Sequence, residues 1–287
     1  MKKFAMILAA GMVSLSVYAG TPESDAMPFA QLDYNPVTIA MGSTTINCAS
    51  RLPFMKCNYA AGVGYEDYMP QLSGTKYFIV GAQARTGENS GVSLSFLRGT
   101  GEEISGLQYT PFEILVNAGF GFKFNPRLAF GFNVKYAKEH LTKSNSNTAV
   151  LVDVTSTWSH RGTTISGGVT GIGEALKTAT GKFPLPTALD ICARQSFELG
   201  EDHKLSLTAR SDYYFSGSFG GGVGVEYGFA EVAYARAGYH YGGETILPSF
   251  ASAGLGLCLG HLELDAAYVF ASDVLGNSFS LKIGVWF

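Results

Sequence analysis

Apolar and polar residues alternate with a period of two along most of the chain, from about residue 58 to the carboxy terminus. The alternation is clearest at the end, where the apolar positions are Phe279, Leu281, Ile283, Val285 and Phe287. Successive side chains of a strand point to opposite faces, so this period predicts a strand with one apolar face. Two interpretations fit this strand alone: the edge of a soluble sandwich, or the closing strand of a membrane barrel.

Fourteen segments read as strands by alternation and by the turn residues between them. They are residues 58–67, 75–86, 90–98, 111–124, 127–140, 147–159, 162–173, 185–199, 203–215, 219–228, 231–241, 250–260, 261–272 and 277–287. Most have the length of roughly ten residues that a tilted strand needs to cross a bilayer, and their number is even. The sequence therefore predicts an all-β fold, a transmembrane antiparallel β-barrel of about 14 strands.

The predicted connections alternate between short and long. The short ones, rich in turn residues, are 87–89, 125–126, 160–162, 200–203, 228–230 and 260–261. The links between them are longer, except for 216–218, as expected if one set faces the periplasm and the other the cell exterior. A soluble sandwich has no reason to sort its loops in this way, so the barrel is favoured.

The composition agrees with a barrel and excludes a helical membrane protein. Only 15% of the residues are charged, 13% are aromatic, and there are 36 glycines. No segment after the amino terminus has the 18 or so consecutive apolar residues of a transmembrane helix. The net charge of −3 gives no electrostatic reason to expect nucleic-acid binding.

The two ends of the chain predict export and insertion. Residues 1–19 have a basic start, an apolar middle and a small-residue cleavage site, Val17-Tyr18-Ala19, as in a cleaved signal peptide. The terminal Trp286 and Phe287 complete the closing strand, and a terminal Phe resembles the signal read by the barrel-insertion machinery of Gram-negative bacteria. We therefore expect the outer membrane and its lipid to surround this protein.

Residues 20–56 lack a clear period and precede the barrel, which we assign to residues 57–287. We interpret 20–56 as a plug or cap at one mouth of the barrel, with a disordered leader as the alternative. Cys48 and Cys57 are near enough in sequence to form a disulfide after export, and free buried thiols are an equal alternative. No spacing of Cys and His indicates a metal site, and we expect no cofactor.

If the apolar faces contact lipid, the charged residues opposite them face the lumen. These lumen candidates are Lys135, Asp190, Arg194, Glu198, Arg210, Asp212, Glu226, Glu263, Asp265 and Lys282. Their mixed charge is expected to form salt bridges that stiffen a narrow interior, and a polar path or small binding chamber is the alternative. Arg236 falls in phase with the apolar Val232 and Tyr234, which would require a bulge in that strand.

An enzyme is not expected. Asp67, His140 and His240 are all predicted near extracellular strand ends, where a water-activating Asp/His pair is chemically possible. No catalytic motif accompanies them.

Several short motifs resemble the PorV/PorQ family of Bacteroidetes outer-membrane proteins, which are related to the FadL fatty-acid transporters. They are the plug motif Ala40-Met41-Gly42, then Tyr65-Glu-Asp-Tyr-Met-Pro70, Leu185-Pro-Thr187, Glu226-Tyr227, Ala235-Arg-Ala-Gly-Tyr239, Ala253-Gly-Leu-Gly256 and Leu264-Asp265-Ala-Ala-Tyr268. The resemblance implies a fourteen-stranded barrel with its amino-terminal segment in the lumen.

The same resemblance implies two functions. A PorV-like protein would serve type IX secretion, binding exported cargo and handing it to other secretion proteins. A FadL-like protein would instead be a channel for small hydrophobic solutes. From the sequence we expect the first function and keep the second as the alternative.

Overall fold

The structure is a computed structural model that describes residues 25–71, 74–103, 109–142, 145–178, 181–242, 247–272 and 275–287. The predicted signal peptide lies outside the described residues and stays a prediction. No helix in these ranges is long and apolar enough to span a membrane.

Short helices precede the strands. They are two 3-10 helices, Pro28–Ala30 and Ala49–Phe54, and the single turn α1 (Pro36–Ile39). The described strands are β1 (Tyr59–Tyr68), β2 (Thr75–Arg85), β3 (Ser90–Thr100), β4 (Phe112–Asn125), β5 (Leu128–Thr142), β6 (Asn145–His160), β7 (Thr163–Ile172), β8 (Leu176–Thr178), β9 (Gly181–Phe183), β10 (Ala188–Glu198), β11 (His203–Tyr214), β12 (Phe219–Phe229), β13 (Ala233–Gly242), β14 (Phe250–Leu259), β15 (Leu262–Phe270) and β16 (Ser278–Trp286).

Fourteen of these strands, all except β8 and β9, form one closed antiparallel barrel, which confirms the predicted fold class. Each strand pairs with its sequence neighbours, apart from the β7–β10 pair that skips the β8–β9 hairpin. The ring closes between β1 and β16, whose pairs run from Ala60 opposite Trp286 to Asp67 opposite Phe279. Closure leaves no free sheet edge, which is what a β-structure in lipid requires.

The outward face of the barrel is apolar. Leu255 is 66% exposed, Leu94 58% and Ile283 53%, and many similar residues surround them. The inward neighbours of these residues are small, polar or charged, and many are fully buried, such as Asn133 and Asp190. This distribution is the reverse of a soluble protein and is that of an outer-membrane barrel.

The barrel has a short-turn end and a long-loop end. At the short-turn end β4 and β5 are separated only by residues 126–127, and β14 and β15 only by 260–261. The other end carries the longer links, among them 173–187, which contains the β8–β9 hairpin that the sequence analysis missed. In that hairpin Lys177 donates to Glu174 at 2.7 Å, and this hydrogen bond lowers the pKa of the Glu174 carboxyl.

One predicted loop is shorter than expected. β5 continues to Thr142 and β6 begins at Asn145, so the two strands are linked only by residues 143–144 at the long-loop end. Polar cross-strand contacts extend the hairpin there, since Asn147 donates to Glu139 at 2.8 Å. Cross-strand polar pairs of this kind stabilise a ladder beyond the apolar band.

The described strand β13 contains no bulge of the kind that would change the phase of Arg236. The pairing of β13 with β12 and β14 is continuous, and Arg236 points inward while Ala235 and Ala237 are exposed. Val232 lies in the turn before the strand, so it does not set its phase. Tyr234 also faces inward, with the Arg236 guanidinium 5.2 Å from its ring centroid. The alternation suggests a bulge only if Tyr234 is taken as lipid-facing, and Tyr234 faces the lumen.

The two terminal residues lie at the short-turn end of the β1–β16 seam. The Phe287 N–H donates to the Tyr59 carbonyl at 2.8 Å, which continues the ladder one residue beyond β16. The His261 ring lies 5.0 Å from the Trp286 ring and 5.2 Å from the Phe287 ring. Both residues therefore help to close the barrel at its rim.

The described part of the amino-terminal segment, residues 25–56, runs through the barrel, and we call it the plug segment. It begins at the long-loop end, where the Ser216 hydroxyl donates to Asp25 at 2.8 Å. Its last helix, Ala49–Phe54, packs against β2 to β6 near the short-turn end, and β1 starts there. Because its contacts reach opposite sides of the ring, the segment occupies the lumen.

The plug backbone touches the barrel wall at inward glycines where any side chain would clash, and Gly131 and Gly238 are two examples. A Cβ built on Gly131 of β5 would lie 2.0 Å from the Ser50 nitrogen, and one on Gly238 of β13 would lie 2.1 Å from the Met41 carbonyl carbon. Glycine at these positions allows two backbones to meet without an intervening side chain.

The outward position of Ile283 gives a test of the membrane-facing surface. Replacing Ile283 with Arg should reduce the free energy of folding into lipid by about 2–4 kcal/mol, because a charge near the bilayer midplane is poorly solvated. Heat-modifiable migration of the barrel in outer-membrane fractions would measure assembly. Ile283→Val is the matched control, and equal yields of the two variants would contradict the assignment of faces.

Candidate functional site: the interior of the barrel

The interior contains an apolar region near the long-loop end and several groups of charged residues, one of which lies nearer the short-turn end. The apolar region is a single cluster of buried side chains supplied by the wall and by the plug segment, and we call it the chamber. Its buried members are Met27, Phe29, Ala30, Tyr77, Leu97, Leu115, Ala137, Ala149, Leu151 and Leu185.

The wall of the chamber comes from consecutive strands. Tyr77, Leu97 and Leu115 are inward residues of β2, β3 and β4, close to the ends of these strands at the long-loop mouth. Met27 and Phe29, each only 1% exposed, enter from the plug segment and fill the space between them. An apolar region inside the barrel was not expected, since the sequence analysis assigned mainly polar residues to the lumen.

The chamber has a polar edge formed by tyrosines. The Tyr77 hydroxyl donates to Glu113 at 2.8 Å, and the Tyr34 hydroxyl donates to the Phe29 carbonyl at 2.7 Å. The rings of Tyr34 and Tyr77 meet edge to face with centroids 4.9 Å apart. These contacts hold the Phe29 backbone in place.

A network of ion pairs crosses the lumen nearer the short-turn end. Arg236 donates to Glu226 at 2.7 Å and to Asp265 at 2.8 Å, and Arg194 donates to Glu226 at 2.5 Å. Lys282 extends the network, lying 3.7 Å from Asp265. Most of these groups are buried, so their charges are compensated mainly by one another.

A second ion-pair group fastens the plug segment to the wall. Arg210 donates through Nη2 to Asp190 at 2.6 Å and lies 3.6 Å from Asp212. Its Nη1 donates to the plug carbonyls of Ser43 at 3.3 Å and of Thr45 at 3.5 Å. The guanidinium thus neutralises two wall carboxylates and binds the plug backbone with its remaining donors.

A third group joins β5, β6 and the plug. Lys135 lies 2.9 Å from Asp153 and donates to the Ala30 carbonyl at 3.3 Å. Asp153 also accepts from the Gly171 N–H at 2.8 Å, where β7 carries one extra residue relative to β6. The bulge turns the Gly171 backbone toward the lumen, with φ at +68°.

The structure brings most of the lumen candidates together in these three groups. Glu263 belongs to the first, since Lys282 donates to it at 2.9 Å. Glu198 is different: its side chain is 70% exposed and pairs with Lys204 at the short-turn rim. These charges pair with one another, and the stiffening role expected from their mixed sign stays a prediction.

Sequence reasoning missed three buried charges, Arg236, Asp153 and Glu66. The alternation hides Arg236 because this residue shares its phase with Val232 and Tyr234. Asp153 lies between Val152 and Val154, so an alternation count centred on these two neighbours finds it. Glu66 lies between Tyr65 and Asp67, and this mixed pair gives no such signal.

The predicted plug motif Ala40-Met41-Gly42 lies in the middle of the lumen. Ala40 and Met41 are fully buried, and the Gly42 N–H donates to Ser252 at 3.1 Å. Gly42 has φ at +73°, and a Cβ there would lie 2.6 Å from the Tyr239 carbonyl oxygen. Glycine is needed for both the turn and the close approach.

The cysteines and the three rim candidates form no site. Cys48 and Cys57 are free thiols, and Cys48 is buried with Ile46 and Cys192. Asp67, His140 and His240 belong to β1, β5 and β13, which are not neighbours in the ring. Among the described residues no group of His, Cys, Asp and Glu could hold a metal ion.

The fold resembles solved outer-membrane barrels. The Ralstonia pickettii toluene transporter TbuX matches with a TM-score of 0.64 and 12% identity, over 90% of this chain and 100% of its own. The P. putida toluene transporter TodX gives 0.63 and 10%, over 90% and 99%. A Pseudomonas aeruginosa FadL homologue gives 0.51 and 13%, over 94% and 99%. No family model and no curated protein matches the sequence.

Sequence identities of 10% to 13% show that the fold is similar and show nothing more. The structural neighbours are FadL-type outer-membrane barrels, which agrees with the coarser part of the resemblance seen in the sequence. The closer relation to PorV/PorQ stays a prediction.

The central position of Arg236 in the ion-pair network gives a stability test. Arg236→Met should lower the free energy of unfolding by about 3 kcal/mol, because it leaves Asp265 and Glu226 buried with fewer cationic partners. Urea titration of the protein in lipid vesicles would measure this. Lys204→Met, which removes an exposed pair, is the control and should cost under about 1 kcal/mol; equal losses would contradict a buried network.

Proposed function

We propose that this protein is an outer-membrane channel for small hydrophobic solutes. The observation that carries the proposal is the chamber, a contiguous apolar cluster inside a barrel whose interior is otherwise charged. Apolar wall residues cannot form the salt bridges that stiffen a barrel. They provide a surface to which a hydrophobic solute binds more favourably than it dissolves in water.

The plug side chains in the chamber indicate the size and chemistry of the solute. The Phe29 ring is an aromatic group of single-ring size, fully buried against inward-facing aliphatic and tyrosine side chains. A monoaromatic molecule in the same place would make equivalent contacts. The titles of the solved neighbours name toluene transporters and, for CymD, a monoaromatic hydrocarbon channel. We therefore propose small aromatic hydrocarbons as the solute class.

The passage of a solute through the barrel requires a movement of the first part of the plug segment. Met27 and Phe29 are held by the short helix Pro28–Ala30, by the Tyr34 hydroxyl and by Lys135, not by regular strand pairing. The later part is fastened more firmly, by Arg210 and by Ala49, whose N–H donates to Asn133 at 3.0 Å. Local opening near Phe29 would expose the chamber while the rest of the plug stays bound.

The PorV-like secretion function rests only on the resemblance of short motifs. The FadL-type neighbours support the channel, which was the alternative at the sequence level. We propose the outer membrane as the location, lipid and the insertion machinery as partners, and a non-enzymatic role. Deletion of the protein separates the two functions: a channel predicts reduced toluene uptake with normal surface display of exported proteins, and a secretion role predicts the opposite.

The packing of Phe29 gives a direct test of the channel. Phe29→Ala should raise the initial toluene flux into proteoliposomes at least about tenfold, because a packing loss of roughly 3 kcal/mol favours the open plug. Phe270→Ala, which removes an outward-facing ring of the same size, is the control and should leave the flux unchanged. A flux equal to that of empty liposomes in both the wild type and Phe29→Ala would rule out the proposal.

A further inference from the structure

A buried carboxyl with one oxygen that accepts no hydrogen bond lies beside the chamber. Glu66 of β1 faces inward and is only 4% exposed. Its Oε2 atom has no hydrogen-bond partner in the described ranges, and the same is true of the Ser280 hydroxyl, which is paired with Glu66 across the β1–β16 seam. Buried polar atoms without partners are rare and costly in folded proteins, so their presence here requires a reason.

Glu66 lines a cavity of about 30 Å³ between the plug segment and the wall near the long-loop end. The rest of the lining is mainly apolar and includes Leu32 and Ile39 of the plug, and Leu247, Phe250 and Val269 of the wall side. A space of this size holds a head group of one or two heavy atoms but not a whole aromatic molecule.

The cavity adjoins the chamber. Leu32 and Tyr68 line the cavity, and both also pack against the apolar cluster that contains Phe29. A solute in the chamber could therefore extend a polar substituent toward Glu66 past these two side chains.

The charges around the cavity favour a hydrogen-bond donor. No Lys or Arg is among its lining residues, and its second carboxyl, Asp33, is already bonded by Thr38 and by the Asn35 N–H. Glu66 is thus the group left to accept from a ligand. A hydroxyl or an ammonium supplies the missing donor, whereas a pure hydrocarbon does not.

We propose that this cavity is a head-group subsite that selects, among small hydrophobic solutes, those with one hydrogen-bond-donating substituent. The inference deepens the proposed function and rests on it for the entry of the solute. The wall and plug hold the apolar body, and the Glu66 carboxyl accepts the hydrogen bond of the head group, with the Ser280 hydroxyl as its neighbour across the seam.

The experiment compares toluene, benzyl alcohol and benzylamine, which share one ring and differ in the head group. Binding of each to the wild-type protein and to Glu66→Leu in lipid nanodiscs is measured by titration calorimetry, with empty nanodiscs subtracted. We expect the affinity of benzyl alcohol or of benzylamine, relative to toluene, to fall about tenfold in Glu66→Leu, the usual worth of a hydrogen bond to a carboxyl. A preference for the alcohol indicates a neutral ligand, and one for the amine a cationic ligand.

Controls separate recognition from a structural role. Asp67→Asn changes the next residue, on the opposite face of β1, and should leave the affinities of benzyl alcohol and benzylamine relative to toluene unchanged. Glu66→Gln keeps an acceptor oxygen and should retain part of the preference. Removal of an unpaired buried carboxyl should not lower the thermal stability of the ligand-free protein. Unchanged ratios in Glu66→Leu, or a strongly destabilised variant, would overturn the subsite.

The outcome also distinguishes the two proposals. Normal toluene flux with unchanged ratios in Glu66→Leu leaves the channel standing and rejects the subsite. A Glu66-dependent preference in binding, together with a wild-type flux no greater than that of empty liposomes, supports the subsite and rejects the channel.

Discussion

A sheet in lipid must hydrogen-bond all of its backbone within itself, and the β1–β16 pairing is where this chain meets that requirement. Once the ring is closed, every residue of the wall has one of two environments, lipid or lumen. The outward apolar side chains and the inward ion pairs are both consequences of this division. It also explains why a chain with few charges buries so many of them: in the lumen they meet partners of opposite charge, which lipid does not offer.

The lumen is filled in two different ways. Nearer the short-turn end, Arg236, Glu226 and Asp265 compensate one another across strands, and this part of the barrel is held by wall-to-wall contacts. At the long-loop end, one part of the wall carries the apolar residues of the chamber, and the plug segment supplies the filling there. In another part Arg210 pairs with Asp190 and Asp212 and binds the plug backbone. The first arrangement is independent of the plug, so the plug can loosen at Phe29 without leaving charges unpaired in the ion-pair network. Ion pairs that hold the wall without the plug, and a plug that can loosen at Phe29, are what the proposed channel requires.

The period of two was sufficient to predict the strands, their number and most of the faces, because lipid and lumen impose opposite demands on neighbouring residues. The period of two does not assign the correct face to a residue that is stable in both environments. Tyr234 packs over a guanidinium inside the barrel, and its ring was counted as lipid-facing. The chamber could not be foreseen for the same reason: an inward Leu97 and an outward Leu94 differ only in register. The hydrogen bonds of the plug were also beyond the sequence, since residues 25–56 have no period and are placed by contacts with distant strands.

The path of the plug segment accounts for part of the chain's bulk composition. Plug atoms stand where a Cβ would be at Gly121 and Gly131 on one side of the ring and at Gly222, Gly224 and Gly238 on the other. These glycines occupy inward positions of the wall, and they lie along the path that the plug segment follows through the lumen. Part of the high glycine content is thus explained by the space that the plug segment needs, although this segment has no regular pattern of its own. A sequence whose barrel strands lost these glycines would have no room for a lumen segment on this path.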